Sequence, residues 1–481
     1  MNDPRAADEQ QAVTIVGAGP AGMAAATRLA RAGMRPVVLD RAMNAGGQIY
    51  RDIGTTRQRD ALLGPDYVRG RALHEAFMAA CTRGDIDYRP ASHLWWAERG
   101  DQGCWLGILT GEYNRTLHTR RLMIAGGAME RGWPFPGWQR PGVMTAGAGQ
   151  ILLKQAGLIP DVPVVLAGCG PLLYLLAWQY LRAGVRPLAV LDLAGPERYR
   201  QVLAHPRRAL QGRTYLYKGV RMIAALKRAG IPVHQQVTAL SAEGDEHGAL
   251  EAVSFTRDGV THRLPAGLLL THFGVVPDPQ LPRALNLPQR WHDGQQCFIT
   301  ERNEHFEGAP GIACVGDGAA IGGARNAELE GALAATHLLL EHQATSALRE
   351  EQHRLHQRWR HEQAVRPLLE ALFALPDDWL ERQPADTLIC RCESVSRHEL
   401  ITAIDQGGLG PNQLKAFTRC GMGPCQGRLC GDNITRLVAG HCQQSPDQVG
   451  YLQVRPPLVS MTLGELAGEP STDTSLHVHD G

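Results

Sequence analysis

Eleven cysteines are spread unevenly along this chain. Cys81, Cys104, Cys169, Cys297, Cys314 and Cys442 are scattered, whereas Cys390, Cys392, Cys420, Cys425 and Cys430 fall in one short segment. An odd number argues against a full set of disulfides, and thiols gathered this way point to metal binding or catalysis. The segment reads Ile-Cys-Arg-Cys-Glu-Ser-Val, then a helical stretch, then Thr-Arg-Cys-Gly-Met-Gly-Pro-Cys-Gln-Gly-Arg-Leu-Cys-Gly. Two tetrahedral irons bridged by two sulfides need four thiolates, two on each iron, and two close pairs supply them. Gly421, Gly423, Gly427 and Gly431 let backbone amides turn toward the sulfurs, which favours the more negative reduced state. Structural zinc also takes four thiolates, but its pairs usually lie about two to four residues apart, and Cys390 and Cys392 are closer than that. The six scattered cysteines read as small apolar fillers.

A one-electron centre needs a partner that handles electron pairs, and the N-terminal residues suggest one. Ala12 to Met23 runs Ala-Val-Thr-Ile-Val-Gly-Ala-Gly-Pro-Ala-Gly-Met, a β-branched strand that breaks into glycines and then into a helix-favouring stretch. Gly17 permits the turn, Gly19 lets backbone approach a pyrophosphate, and Gly22 lets the helix pack closely. A second apolar run, Pro36 to Leu39, ends in Asp40, placed for a ribose hydroxyl. Gly46 and Gly47 before Gln48 mark another close approach of backbone, or simply a loop.

The pattern recurs at Val164, with Gly168 and Gly170, a helical run to Gly184, and the apolar run Leu188 to Leu191 ending in Asp192. Leu173 stands where the third glycine belongs, and its side chain holds the helix away from the strand. The second motif therefore leaves NAD, another adenine nucleotide and a purely architectural fold as alternatives. If a nicotinamide binds, Asp192 favours NAD over NADP. Later, Gly311 to Val315 is a short strand leading to Gly316-Asp317-Gly318 and a helix from about Arg325. An acid there can meet ribityl hydroxyls, and the following helix N-terminus offers partial positive charge.

In this order the motifs resemble the flavoproteins with two dinucleotide-binding domains, the group that includes thioredoxin reductase, ferredoxin reductases and NADH-dependent reductases. The resemblance implies an α/β fold with two Rossmann-like domains, the second inserted in the first. Leu122 to Ala128 and Leu268 to Pro277 correspond to the crossovers between them. It also implies that FAD lies along Gly17, Gly19, Pro20, Ala21, Gly22, Asp40, Arg41, Gly47, Gln48, Ala125, Gly126, Gly316 and Asp317. The disulfide-reductase branch is set aside, because Met43 to Ile53 holds no cysteine and Cys169 stands alone in the second motif.

The cysteine segment resembles the bacterioferritin-associated-ferredoxin type of 2Fe-2S domain, as it is appended to anaerobic glycerol-3-phosphate dehydrogenase. That form uses a Cys-x-Cys pair and a later Cys-x-x-x-x-Cys pair after a Gly-Met-Gly turn, which implies Cys390, Cys392, Cys425 and Cys430 as ligands. Cys420 and Cys425 share the same spacing, so they stay open as the later pair. Gly-Gly-Gln-Ile-Tyr-Arg at 46–51, Glu-Arg-Gly-Trp-Pro-Phe-Pro-Gly-Trp at 130–138, Pro-Gly-Val-Met at 141–144 and Gly-Asp-Gly-Ala-Ala-Ile-Gly-Gly-Ala-Arg at 316–325 narrow the likeness further. They resemble the FAD subunits of hydrogen cyanide synthase, opine oxidase and the hydroxyproline dehydrogenases. That family implies a partner subunit similar to glycine or D-amino-acid oxidase that takes the substrate's hydride, and it leaves room for a small ferredoxin-like subunit. Two other readings are a self-sufficient NADH-dependent reductase and a non-catalytic assembly subunit.

The implied organisation is an FAD-binding first half at 12–150, an inserted nucleotide-binding domain at 151–275, the FAD-binding second half at 276–345, a helical linker at 346–385, a small helical 2Fe-2S domain at 386–445 and a tail at 446–481. The histidines from His342 to His361 lack the spacing of a metal site and read as a solvated or partner-facing helix surface. Trp133, Phe135 and Trp138 either cover the flavin or pack as a Pro-bracketed loop. With 49 basic against 48 acidic residues there is no overall basic field for nucleic acid. The polar start from Met1 to Gln11 lacks the pattern of a secretory signal, and no apolar run reaches a membrane span. The expected place is the cytoplasm, with a peripheral position at the inner membrane open through the complex.

Overall fold

The computed structural model describes residues 9–468 apart from 112, 196, 197 and 199. Most of the N-terminal arm and the end of the expected tail, residues 469–481, lie outside the described residues. Strand β1 (Glu9–Val16) pairs in parallel with β2 (Val37–Leu39), which pairs with β3 (Asp87–Arg89). Helix α1 (Pro20–Arg31) follows β1 directly, with Pro at its first turn where a missing N–H costs nothing. On the other side of β1 lies β4 (Tyr113–Ile124), in register Thr14↔Leu122, and beyond it the late strand Ile312–Cys314. One sheet is thus built from both ends of this region.

The chain between builds a second sheet. β4 gives way to the short β5 (Ala128–Glu130), then β6 (Val143–Thr145), capped into α2 (Ala146–Ala156) by the Thr145 hydroxyl accepting from Ala148 N. β7 (Val164–Cys169) is buried at every position, the near-continuous apolar run of a parallel strand covered on both faces. It leads through α3 (Pro171–Arg182) to β8 (Ala189–Asp192), α4 (Arg213–Arg228) and β9 (Val233–His234). β10 (Leu268–Phe273) inserts between β7 and β6, so the order is β9-β8-β7-β10-β6. β11 (Val275–Pro277) then pairs antiparallel with β5, tying the two crossovers together. The expected boundary at 150 falls inside α2, because β6 is already hydrogen-bonded into the second sheet.

After strand β12 (Ile312–Cys314) comes α5 (Ala324–His342), packed on α1, and then α6 (Ser346–Gln363), which buries no residue fully. Two short helices, Arg366–Leu372 and Trp379–Arg382, lead to the C-terminal unit. That unit is a small hairpin, β13 (Leu388–Cys390) with β14 (Val395–Ser396), and helices α7 (Arg397–Asp405), α8 (Pro411–Thr418) and α9 (Gly431–Cys442). It shares one apolar core with the second sheet, in which Trp133, Phe273, Trp379, Ile389, Cys390 and Val438 are buried together. Trp133, Phe135 and Trp138 belong to this core, and the Trp138 indole donates to Leu388 O at 2.8 Å. Among the described residues no helix is long and apolar enough to cross a membrane.

Candidate functional site

The turn between β1 and α1 is built by contacts that only glycine allows. Gly17 has φ +106°, and a Cβ there would stand 2.3 Å from Ala125 O. At Gly22 a Cβ would stand 1.8 Å from Gly17 O, so this residue lets the helix close on the turn. Gly47 comes from the other side, its position for a Cβ only 2.8 Å from Gly19 Cα. Pro20 and Ala21 open α1, whose first turn carries no acid, so its free N–H groups face the crevice with their partial positive charge. Asp40, at the end of β2, accepts from Ala18 N and, at 2.7 Å, from Ala42 N, and each oxygen keeps a lone pair for a hydroxyl. Arg41 beside it is exposed at the rim.

The far wall comes from β4 and β12. Ala125 is buried, while a Cβ on Gly126 or Gly127 would meet nothing within 4 Å, which leaves an open backbone surface. The Gly316–Gly318 turn lies against it, with Gly318 closest to Gly127. Asp317 Oδ1 accepts from Gly322 N at 2.8 Å and Gly323 N at 2.7 Å, which leaves Oδ2 for a ligand. Burial raises its carboxyl above the ordinary value, and the two amides pull it back. The structure therefore brings the expected residues of both halves around one crevice at the carboxyl ends of four parallel strands. An open glycine surface, a helix N-terminus and two acids placed for hydroxyls fit the pyrophosphate, ribose and ribityl groups of FAD.

A residue not singled out from the sequence supports this crevice. Lys154, on α2 and only 3 % exposed, donates through Nζ to Gln48 O and Ile49 O at 3.1 Å each, which props the Gly47–Gln48 loop. Burial, with Arg51 nearby, pushes its ammonium down to about 7. A lysine among Ile151, Leu152 and Leu153 was its one visible signal.

The second motif is arranged differently. Leu173 is fully buried where a third glycine would sit. Both oxygens of Asp192 are used within the protein, one accepting from Ala194 N at 2.9 Å and the other from the Tyr174 hydroxyl. Burial raises the Asp192 carboxyl, opposed first by Tyr174. His272, at the end of β10, stands beside Gly170, its Nδ1 on Glu130 Oε1 at 2.8 Å, while Glu130 Oε2 accepts from Gly147 N at 2.8 Å. Over Gly168 and Gly170 the linker closes down. Cys169 Sγ donates to Phe373 O, Arg198 donates to Ala374 O, and Trp379 stacks on Trp133 with ring centres 6.3 Å apart. The crevice at the carboxyl ends of this sheet, where doubly wound folds take nucleotides, is thereby covered.

All five clustered cysteines meet. The sulfurs of Cys390, Cys420 and Cys430 lie within 4.8 Å of one another and are buried, while Cys392 and Cys425 are half-buried. Cys392 is hydrogen-bonded to Cys425, and Cys425 to Cys430. Each early thiol thus meets a late one, Cys390 with Cys430 and Cys392 with Cys425. The contacts run between the two halves of the segment and also, at Cys425 and Cys430, within the later close pair. Thiols donated by Cys420 and Cys430 push Cys390 down to about 2, and Cys430 is raised well above the ordinary thiol. Amides of Gly421 and Glu393 reach Cys390, and those of Leu429 and Gly427 reach Cys425. Sulfurs that share protons and collect backbone N–H groups fit a centre in which iron takes the protons' place. The scattered Cys169, Cys297 and Cys314 are buried, and burial pushes each thiol up to about 12, as inert fillers.

The loop from Cys425 to Cys430 rests on the crossovers. Gln426 O accepts from Gln280 at 3.1 Å, and Arg428 pairs with Asp278 at 3.6 Å. Asp278 N in turn donates to Gly127 O at 3.2 Å. Asn433 donates to Gly132 O at 2.9 Å. An ion pair and a hydrogen bond therefore link the cysteine loop to the open backbone of the FAD crevice. No sequence motif marked Asp278, Gln280 or Arg428, because their role depends on a contact across 146 to 150 residues of chain.

Residues 11–331 match the family model of pyridine nucleotide-disulphide oxidoreductases, and residues 388–439 match the BFD-like 2Fe-2S binding domain. The chain is 40% identical to an opine oxidase subunit of Rhizobium meliloti over 479 residues, covering 98% of this chain and 89% of that one. It is 33% identical to hydrogen cyanide synthase subunit HcnB of Pseudomonas aeruginosa, covering 92% and 96%. In fold it is similar to the crystal structure of L-proline dehydrogenase from P. horikoshii, with a TM-score of 0.69 at 17% identity over 95% of this chain and 80% of that one.

Proposed function

The chain belongs to the pyridine nucleotide-disulphide oxidoreductase family as an oxidoreductase subunit with FAD and 2Fe-2S domains, and on that premise we propose that it relays electrons within a heteromeric amine or amino-acid dehydrogenase. The observation that carries this reading is the seat of the cysteine loop on Asp278 and Gln280, one hydrogen bond from Gly127. Bound FAD supplies acceptance of an electron pair and release of single electrons, and the 2Fe-2S centre supplies one-electron transfer. This chain's residues hold the two at neighbouring places. Gly17, Gly19, Gly22, Gly47, Asp40, Ala125, Gly126, Gly316 and Asp317 would bind and orient FAD, and Cys390, Cys392, Cys425 and Cys430 would hold the cluster, with Cys420 as a buried neighbour.

Oxidation of a CH–NH donor to C=N gives up two electrons and two protons, and in this reading it takes place on a partner subunit similar to glycine or D-amino-acid oxidase. Opines, hydroxyproline, proline and glycine are the donor classes to try. The relatives named as subunits of opine oxidase and hydrogen cyanide synthase support it, with similarity running nearly end to end. The covered second crevice, with Asp192 already engaged, speaks against a self-sufficient NADH reductase. The test is to purify the intact complex and assay these donors with an artificial acceptor. Turnover should need both subunits; an isolated chain that oxidises one of these amines unaided would overturn the proposal.

A further inference from the structure

Between Arg198 and Arg228 the sequence holds nine Lys or Arg residues and no Asp or Glu, although the whole chain is balanced at 49 to 48. Helix α4 carries much of this run. Its inner side, through Met222 and Leu226, is buried beside α3. At helical spacing Arg213, Tyr217, Val220 and Ala224 share the opposite side, flanked by Arg221 and Arg228 along one edge and Lys227 along the other. Tyr217 and Val220 are each 65% exposed, as is Leu210 on the preceding short helix Pro206–Gln211. Lys218 is held by Asp66, but Arg213, Arg221, Lys227 and Arg228 have no acid within ion-pair distance among the described residues. Arg221 instead lies over the Tyr217 ring at 5.8 Å.

We propose that this face of α4 docks the protein peripherally on an anionic membrane surface. A narrow apolar strip of Tyr217 and Val220, bordered on both sides by long cations, is the pattern of a helix lying in the headgroup layer, where the stems of Arg and Lys cover apolar surface and their heads meet phosphate. An acidic protein partner is the competing occupant, and so narrow an apolar strip, bordered by cations, suits the headgroup layer better than the broad apolar core of a protein interface. Outside this run the chain holds 40 basic against 48 acidic residues, so the patch is a local feature and not a by-product of composition. The proposal is independent of the electron-relay reading.

The test is co-sedimentation of the full FAD-loaded chain with vesicles of phosphatidylcholine alone or mixed with phosphatidylglycerol. Binding should need the anionic lipid and weaken steeply with added salt. Reversal in Arg213→Glu/Arg221→Glu/Arg228→Glu should lower it at least about tenfold, and Tyr217→Ser/Val220→Ser should lower it less, with bound flavin unchanged in both. Should the triple variant misfold, Arg221→Gln/Arg228→Gln serves the same comparison. The proposal is overturned if the wild type ignores phosphatidylglycerol vesicles at low salt or binds both vesicle types equally. It is equally overturned if charge reversal leaves vesicle binding intact and instead releases a partner subunit.

Discussion

At the scale of residues, Cys420 is the sharpest question. Its sulfur lies within 4.8 Å of those of Cys390 and Cys430, and it is more deeply buried than Cys392 or Cys425. Single serine replacements should lose the iron at Cys390, Cys392, Cys425 and Cys430 and keep it at Cys420; iron content and the electron resonance of dithionite-reduced protein decide this. A Cys420→Ser protein without the signal, beside a Cys430→Ser protein that keeps it, would exchange their roles. At the flavin crevice, Gly19→Val should block pyrophosphate approach and yield colourless protein. Gly22→Ala should weaken the fold itself, since its Cβ meets backbone at 1.8 Å. Lys154 gives a pH signature. Its folded-state value near 7 lies below the roughly 10.4 of an unfolded lysine, so between them the unfolded chain binds the extra proton and stability rises with pH. Urea midpoints of wild type should climb from about pH 7 toward pH 10 relative to Lys154→Met; parallel curves would refute the assignment. Gly17 and Gly22 were readable because a local turn dictates them, whereas Lys154 was not, since its acceptors at Gln48 and Ile49 lie more than a hundred residues earlier.

At the scale of elements, the strand, turn and helix of each motif appear where periodicity and glycines placed them: β1 with α1, β7 with α3, and β12 ahead of α5. Their signals are local. The pairing of β5 with β11, and the entry of β6 into the second sheet ahead of the expected boundary, depend on partners over a hundred residues away and leave no periodic mark. The linker shows the same limit. It was readable as helical, but its closure over Gly168 and Gly170 through Phe373, Ala374 and Trp379 rests on tertiary packing. That closure carries a prediction. Anaerobic mixing with NADH or NADPH should bleach the flavin slowly or not at all, because the cofactor's crevice is covered and Asp192 is bound to Tyr174. Bleaching within milliseconds at micromolar NADH would show that the linker opens and would restore the reductase reading.

At the scale of the molecule, a flavin sheet made from two chain segments holds a second nucleotide unit between them, and a small cysteine domain sits where the crossovers emerge. The order of these parts along the chain was visible in the motifs; their mutual seating was not. That seating carries the proposed relay, in which the cysteine centre is the outlet of the flavin crevice. The most direct measurement is freeze-quench electron resonance of the intact complex mixed anaerobically with its amine substrate and an acceptor. The reduced 2Fe-2S signal should rise after the flavin bleaches and decay as acceptor is reduced, and in Cys390→Ser the flavin should still bleach while the acceptor stays oxidised. An acceptor reduced at the wild-type rate with no cluster present would contradict the account.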